Sequence, residues 1–342
     1  MSDKVISFAI PCYNSAEYMD KCINSILTCG DDIEIIIVDD GSTKDDTAAK
    51  ADAWAEKYPE IIKVVHKENG GHGSAVNEGL ANATGTYFKV VDSDDWIDVT
   101  AGIKVMEEVR KQAESAAPVD MIVANYVYEK VFEGSSSIIN YKHVFDEGEV
   151  MSWDEIGHFN PSQYLLMHAL IFRTQLLKDI GLELPKHTFY VDNIFCYVPL
   201  PHVETMVYVD ANLYRYFIGR EDQSVNEEVM LGRMDQQLRV TRIMIDSVDY
   251  ERDIKSRKLQ SYMRSYLSMM MTINSVFLRM KNTLESVEEL EDIWHYLKNK
   301  DPKLYRRIRT NILNMSTNVP TSAGRKLALG GYNVAQKLFN FN

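Results

Sequence analysis

Long apolar runs are missing from this 342-residue chain, and so are closely paired cysteines. No stretch approaches the roughly 18 apolar residues of a membrane-spanning helix. The N-terminus enters its first apolar segment without a basic region ahead of it, which excludes an ordinary secretory signal and makes the cytoplasm the expected location. Cys12, Cys22, Cys29 and Cys196 show no Cys-x-x-Cys spacing and no clustered histidines, so they are expected as buried free thiols in a reducing compartment rather than a zinc or disulfide framework. The first apolar run, Ile6 to Ile10, closes on Pro11-Cys12-Tyr13-Asn14 and lacks the Gly-x-Gly-x-x-Gly that a dinucleotide-binding turn needs. Positive charge is also scarce: the net charge of −13 excludes nonspecific nucleic-acid binding through the main body of the chain. From Glu251 to the end there are 16 Lys and Arg against 8 Asp and Glu, which leaves −21 on the first 250 residues, so the two parts are expected to face different surroundings.

What is present is a set of apolar runs that stop on polar and acidic residues. Tyr87 to Val91 ends on Asp92-Ser93-Asp94-Asp95, Glu34 to Val38 ends on Asp39-Asp40-Gly41-Ser42, and Ile61 to Val65 leads into Glu68-Asn69-Gly70-Gly71-His72-Gly73-Ser74. The first three runs are each followed by helical spacing, with Ser42 or Thr43 read as the cap of the second helix. Strands alternating with helices predict right-handed crossovers and a largely parallel sheet, so Pro11, Asp40, Gly71 and Asp94 should meet at one edge. Asp92 and Asp94, two residues apart, can both reach one hard cation, which in turn can bridge the phosphates of a nucleotide; acidic turns and helix caps use the same residues. Glycine amides opening a helix, as at Gly71, can approach an anion closely.

Together these segments resemble the inverting glycosyltransferases of the large family 2, with the nucleotide-diphosphosugar fold called GT-A. The resemblance rests on Ile10-Pro11-Cys12-Tyr13-Asn14, Val38-Asp39-Asp40-Gly41-Ser42, Asn69-Gly70-Gly71 with Ala75-Val76-Asn77-Glu78-Gly79, Asp92-Ser93-Asp94-Asp95, and Val191-Asp192-Asn193. It implies a Rossmann-like α/β domain over residues 1–225, with a nucleotide-binding half (1–100) and an acceptor-side half (101–225), followed by a helical C-terminal region (226–342). It also implies nucleotide contacts from Pro11, Tyr13, Asp40, Gly71, His72, Asp92 and Ser93, with Asp40 on the base and Asp39 bracing the loop. Asp94, with Asp92, would hold Mg²⁺ or Mn²⁺, while Asp95 caps the next helix or braces the loop. Asp192 would be the catalytic base, in an apolar and aromatic setting suited to raising its pKa. Val76 stands where the family often has Arg, so His72 or Lys67 is the substitute cation, and Val191 replaces the usual Glu before the base.

Around these, the segment from Phe159 to His168, with His187, is expected either to line the acceptor side or to be the routine packing of an insertion, and Arg220 either closes over the donor diphosphate or is a solvated surface residue. The implied activity is sugar transfer from a nucleotide-diphosphosugar, UDP-sugar favoured, to a glycan or lipid-linked acceptor of cell-surface polysaccharide synthesis. A sugar-phosphate nucleotidyltransferase and a non-catalytic sugar-nucleotide-binding protein are the alternatives. Tyr208 to Phe217 reads as paired short strands, and Gly134 to Ser137 as a turn. The basic, apolar C-terminal part, including Lys303 to Arg309 and Arg325 to Phe341, is expected to pack helically, and either to touch the inner face of an anionic membrane or to form a solvated or dimer face. Sugar identity, linkage and oligomeric state are not encoded in these motifs.

Overall fold

The four apolar runs become the centre of one sheet. A computed structural model describes residues 4–160, 163–219 and 227–317, and within it the chain divides into two compact units. Residues up to His158 with Leu165–Ile218 make an α/β unit; Phe159–Tyr164 with the chain from Gly219 onward make a helical one.

In the α/β unit the strands are β1 (Ile6–Cys12), β2 (Ile33–Asp39), β3 (Ile62–His66), β4 (Tyr87–Val90), β5 (Trp96–Ile97), β6 (Met121–Lys130), β7 (Ser135–Ile139), β8 (Val150–Met151), β9 (Leu170–Arg173) and β10 (Met206–Ile218). Its helices are α1 (Met19–Leu27), α2 (Thr47–Lys57), α3 (His72–Asn82), α4 (Val99–Ala113), α5 (Thr174–Asp179) and α6 (Asp192–Tyr197). The sheet runs β3-β2-β1-β4-β9-β6-β10-β5, with β7 beside β6 and β8 beside β10. Strands β1 to β4 pair in parallel through α1, α2 and α3, so their carboxyl ends share one edge. All seven positions of β2 are buried, which is why its run Ile33 to Val38 does not alternate: helices cover both faces. On α1 the buried Met19, Cys22, Ile23 and Ile26 recur at helical spacing and form its core face. Helix α3 lies close on β1 through Gly79, where a Cβ would stand 2.6 Å from that of Ala9.

Three local readings change. Tyr208 to Phe217 is not a pair of short strands but part of the single β10, which stays parallel to β6 by absorbing register shifts between Val209 and Asn212 and between Asn212 and Tyr214. Gly134 does turn the chain, at φ 62°, but the serines after it enter β7 rather than the turn. Helix α2 starts at Thr47 because Ser42 and Thr43 are engaged elsewhere: Ser42 Oγ accepts from Asn14 N–H at 2.9 Å, and Thr43 N–H donates to Asn14 Oδ1 at 3.1 Å. The four cysteines are buried and free. Burial pushes the Cys29 thiol up to about 12, and burial with nearby carboxylates or thiol pushes Cys12 and Cys22 well above the usual value.

The helical unit comprises α7 (Glu227–Gly232), α8 (Met234–Asp246), α9 (Arg257–Lys281), α10 (Leu284–Lys300), α11 (Pro302–Arg309) and α12 (Ile312–Thr317). Ser256 caps α9 by accepting from Leu259 N–H, and Asn282 ends it in the left-handed region. Asn274 of α9 donates to Thr241 of α8 at 2.8 Å, and Trp294 of α10 donates to Ser275 at 3.2 Å. Phe159 packs on Tyr262 with ring centres 4.3 Å apart and planes tilted by 37°, and Tyr164 on Tyr266 at 5.2 Å and 47°. The segment after Phe159 packs on α9 through these aromatic pairs.

A Gly79→Val substitution should overpack the α3–β1 contact and lower unfolding stability by about 1–3 kcal/mol, read from chemical denaturation; an unchanged midpoint would mean that α3 can lift off β1 freely.

Candidate active site

At the carboxyl edge, β1 pairs with β4 only as far as Ala9, while Pro11 continues opposite Val38 of β2, where its missing N–H breaks no ladder on the β4 side. Tyr13 beyond it is half exposed. Asn14 follows in the left-handed region, φ 51°, and its Oδ1 gathers the Thr43 and Lys44 amides. Asp39 Oδ1 accepts from Ser42 N–H and Oδ2 from His66. Burial opposes ionisation of Asp39, but these hydrogen bonds outweigh it and hold the carboxyl below its ordinary range. Asp39 thus braces the loop.

Asp40, with its side chain 3% exposed, organises the glycine turn. Its Oδ1 accepts from Lys67 Nζ at 2.6 Å and Gly70 N–H at 3.0 Å, and Oδ2 accepts from Gly71 N–H at 2.7 Å. Among the described residues Oδ2 therefore has one lone pair left to accept a further N–H. Lys67 is committed to this carboxylate and to Glu68 O at 2.7 Å. Gly71 sits at φ 83°, and a Cβ there would come within 3.2 Å of the His187 nitrogen, whose N–H donates to Gly70 O at 2.6 Å. His187 closes this turn with its backbone; its side chain is exposed.

Three carboxylates follow β4, and each is treated differently. Asp92, with 24% of its side chain exposed, accepts from His72 Nε2 at 2.7 Å. Burial works against the charge on each partner, yet Asp92, with Asp192 and Asp94 behind it, raises His72, and His72 lowers Asp92. Ser93 Oγ donates to Ser15 Oγ at 2.9 Å and ties this loop to the one after β1. Asp94 is half-buried. Asp95 is fully inside: Tyr214 O–H donates to it at 2.6 Å and Phe217 N–H at 2.8 Å, both from β10. Burial and the neighbouring Asp94 and Asp92 push Asp95 well above the carboxylate range, so it braces β10 while the next helix is capped by Asp98.

Beneath lies a layer that the sequence reading missed. Lys89 is completely buried, donates to the carbonyls of His168 (2.9 Å) and Leu170 (3.3 Å), and is lowered by burial to about 7. A lysine inside a β-branched run was the available signal, since such a residue is almost never fully buried without a reason. His168 does not line an open acceptor surface: it is packed among Tyr126, Tyr214 and Tyr216, and burial lowers it to about 4, which keeps it neutral. Ligand atoms of Asp92, Asp95 and His168 lie within 4.8 Å of one another, and among the described residues His168 Nδ1 is buried without a hydrogen-bond partner. Both Asp95 oxygens are already engaged by Tyr214 and Phe217, which leaves that carboxylate less free to hold an ion.

Asp192 opens α6, after Tyr190 in the left-handed region at φ 64°. Burial raises it above the ordinary carboxylate value, His72 offsets part of that, and Asp92 adds to it. The base candidate, the imidazole and the first carboxylate of the acidic loop are therefore within electrostatic reach of one another. Arg220 lies outside the described residues.

Strand ends that gather carboxylates over a glycine turn define a GT-A α/β domain. Residues 7–167 match the family model described as Glycosyl transferase family 2. The glycosyltransferase GlyG of Streptococcus pneumoniae is 28% identical over 233 residues, 62% of this chain and 70% of the relative. GlyA of the same organism is 29% identical over 237 residues, 64% of this chain but 31% of the relative, so the chain matches under a third of that protein's length. The uncharacterised glycosyltransferase EpsJ of Bacillus subtilis is 37% identical over 108 residues, 31% of each chain. In fold, the chain is similar to residues 1–349 of S. aureus TarS, solved with UDP-GlcNAc (TM-score 0.66, 18% identity, 98% of this chain and 91% of that one). It is also similar to the mannosyltransferase PcManGT of Pyrobaculum calidifontis, solved with GDP-Man and Mn²⁺ (TM-score 0.50, 16% identity, 98% and 88% covered). The match to the family 2 glycosyltransferases thus spans residues 7–167, just under half of the chain.

Replacing Asp40 by Ala should strand Lys67 and two glycine amides and cost about 2–4 kcal/mol of stability in chemical denaturation. A loss below about 0.5 kcal/mol, within the range of neutral surface changes, would show that the turn is held by other contacts.

Proposed function

We propose that this chain is an inverting, metal-dependent hexosyltransferase. It moves a sugar from a nucleotide-diphosphosugar, a UDP-sugar first, to a hydroxyl of a glycan or lipid-linked acceptor in cell-surface polysaccharide synthesis at the cytoplasmic side. The observation that supports this reading is the His72–Asp92 pair with Asp192, a carboxylate raised by burial, within electrostatic reach of both, beside strand ends suited to a donor diphosphate. The UDP-GlcNAc of TarS and the GDP-Man and Mn²⁺ of PcManGT are consistent with a donor and a divalent ion of this kind.

In the proposed step Asp192 takes the proton of the acceptor hydroxyl as that oxygen attacks the anomeric carbon. The bond from that carbon to the diphosphate oxygen breaks, and the electron pair leaves with the nucleoside diphosphate. One inversion follows from one displacement, so an α-linked donor yields a β-linked product. Asp94 and Asp92 would hold Mg²⁺ or Mn²⁺, which supplies charge stabilisation for the departing diphosphate. His72 fixes Asp92 and, raised by that carboxylate toward its protonated form, is the cation candidate at that edge where Val76 offers none. Pro11, Tyr13, Asp40, Gly71 and Ser93 form the nucleotide side of the same edge in this reading, and residues 1–225 the transferase domain.

Transfer assays should release a nucleoside diphosphate rather than pyrophosphate. Asp192→Asn should lower kcat by about 10²–10⁴ while leaving thermal stabilisation by UDP and Mn²⁺ in place; a variant that keeps full turnover sinks the base assignment. Because the Asp192 carboxyl is raised, the base form is lost as pH falls through a value above the ordinary ~3.9 of aspartate. The acid limb of kcat/KM should therefore lie above that value and vanish from the residual activity of Asp192→Asn. Asp94→Ala should abolish the Mn²⁺-dependent part of UDP stabilisation, about 2.7 kcal/mol for wild type at a hundredfold excess over Kd; undiminished stabilisation would remove Asp94 from the metal site.

A further inference from the structure

Helix α12 buries an asparagine and exposes two large apolar side chains. Asn314 is fully buried, accepts from Thr272 Oγ1 at 3.1 Å and donates to Ser268 Oγ at 2.8 Å, and the exposed Asn311 just before the helix donates to Ser268 Oγ at 3.3 Å. Ile312 and Met315 face away, 82% and 57% exposed. Water gives no return for exposing these two side chains on a helix whose Asn314 is turned against α9.

The chain reaches α12 through arginines. Arg306 and Arg307 of α11 are exposed, and Arg309 sits over the Trp294 ring at 4.9 Å. Arg264 and Arg279 of α9 are partly buried, and each is depressed first by that burial and then by a facing arginine, Arg307 in one case and Arg309 in the other. Among the described residues none of these five guanidinium groups has a carboxylate partner, although Lys303 of α11 and Arg242 of α8 have theirs in Glu251 and Asp292. Arginines of α9 and α11 thus face one another without a neutralising carboxylate, and the chain passes from them straight into the helix that exposes Ile312 and Met315. A soluble anion would explain the arginines but not Ile312 and Met315. A two-fold contact between copies would cover the apolar residues but bring arginines towards arginines.

We propose that the face made by α11 and α12, with Arg264 and Arg279 of α9, docks on an anionic lipid bilayer, the guanidinium groups pairing with headgroup phosphates while Ile312 and Met315 enter the acyl boundary. A bilayer surface supplies both chemistries side by side. The charge distribution suits it, because the −21 of the first 250 residues is repelled by the same surface that attracts the +8 beyond them.

The test is co-sedimentation of the full chain with vesicles of phosphatidylglycerol and phosphatidylcholine, and with phosphatidylcholine alone, at low salt and at about 0.5 M salt. The full chain should bind the anionic vesicles at low salt and neither preparation at high salt. Arg306→Glu with Arg307→Glu should cut the partition coefficient by about tenfold or more, and Ile312→Ser with Met315→Ser by about tenfold, with circular dichroism and thermal midpoint unchanged in both. Absence of binding by the full chain, equal binding to phosphatidylcholine, or wild-type binding by both double variants would each overturn the proposal. A wild-type dimer in sedimentation velocity that dissociates on Ile312→Ser with Met315→Ser would overturn it in favour of a second copy. No sugar nucleotide enters the assay, so its failure leaves the transferase reading standing, and failure of that reading leaves this one.

Discussion

Everything at the sheet edge depends on placing Asp92, Asp94 and Asp95 in four consecutive residues without letting them repel the loop open. Two unit charges 4 Å apart in a partly screened protein site repel by roughly 4 kcal/mol, so three together would cost as much as a small domain's stability. The chain divides the problem. Asp95 is drawn inside and held toward its neutral form under Tyr214, Asp92 is paired with His72, and Asp94 is left half-buried at the surface. Lys89 lies below as a buried cation held by two carbonyls. Each solution also fixes an element: Asp95 pins the end of β10, His72 the start of α3, and Lys89 the approach of β9 to β4. Charge balance and backbone geometry are the same device here.

The neighbouring turn follows a similar logic. A carboxylate with almost no exposure, Asp40, collects a lysine and two glycine amides, and the chain returns more than a hundred residues later so that His187 N–H can meet Gly70 O. Left-handed backbone at Gly71 and His187 accompanies this approach, and Tyr190, also left-handed, comes two residues before Asp192. Such conformations are uncommon in residues that bear a Cβ, and they persist where the surroundings over-determine them.

Much of this was legible in the sequence because the signal was local. Apolar runs closing on Asp39-Asp40, Gly70-Gly71 and Asp92-Ser93-Asp94 announce parallel strands and where their ends must gather, and Val191-Asp192 announces a carboxylate in an apolar setting. What was not legible depends on residues far apart in the chain. The long β10 hid behind its bulges, which interrupt the alternation that marks a strand. His168 reads as a polar group on an acceptor face, yet three tyrosines from β6 and β10 enclose it. Phe159 and Tyr164 go to α9 because of aromatic partners about a hundred residues away. The start of α2 was displaced by Asn14, whose side chain takes the amides that a cap would otherwise serve.

The four cysteines, all inside the α/β unit, give the molecule a property of practical use. With thiols shut away from solvent and, for Cys12, Cys22 and Cys29, held far from the thiolate form, the folded chain is nearly inert to alkylating reagents. A single cysteine introduced on the surface would therefore carry a spectroscopic label without removing any native residue, and the slow appearance of native thiol reactivity would time the opening of the sheet itself.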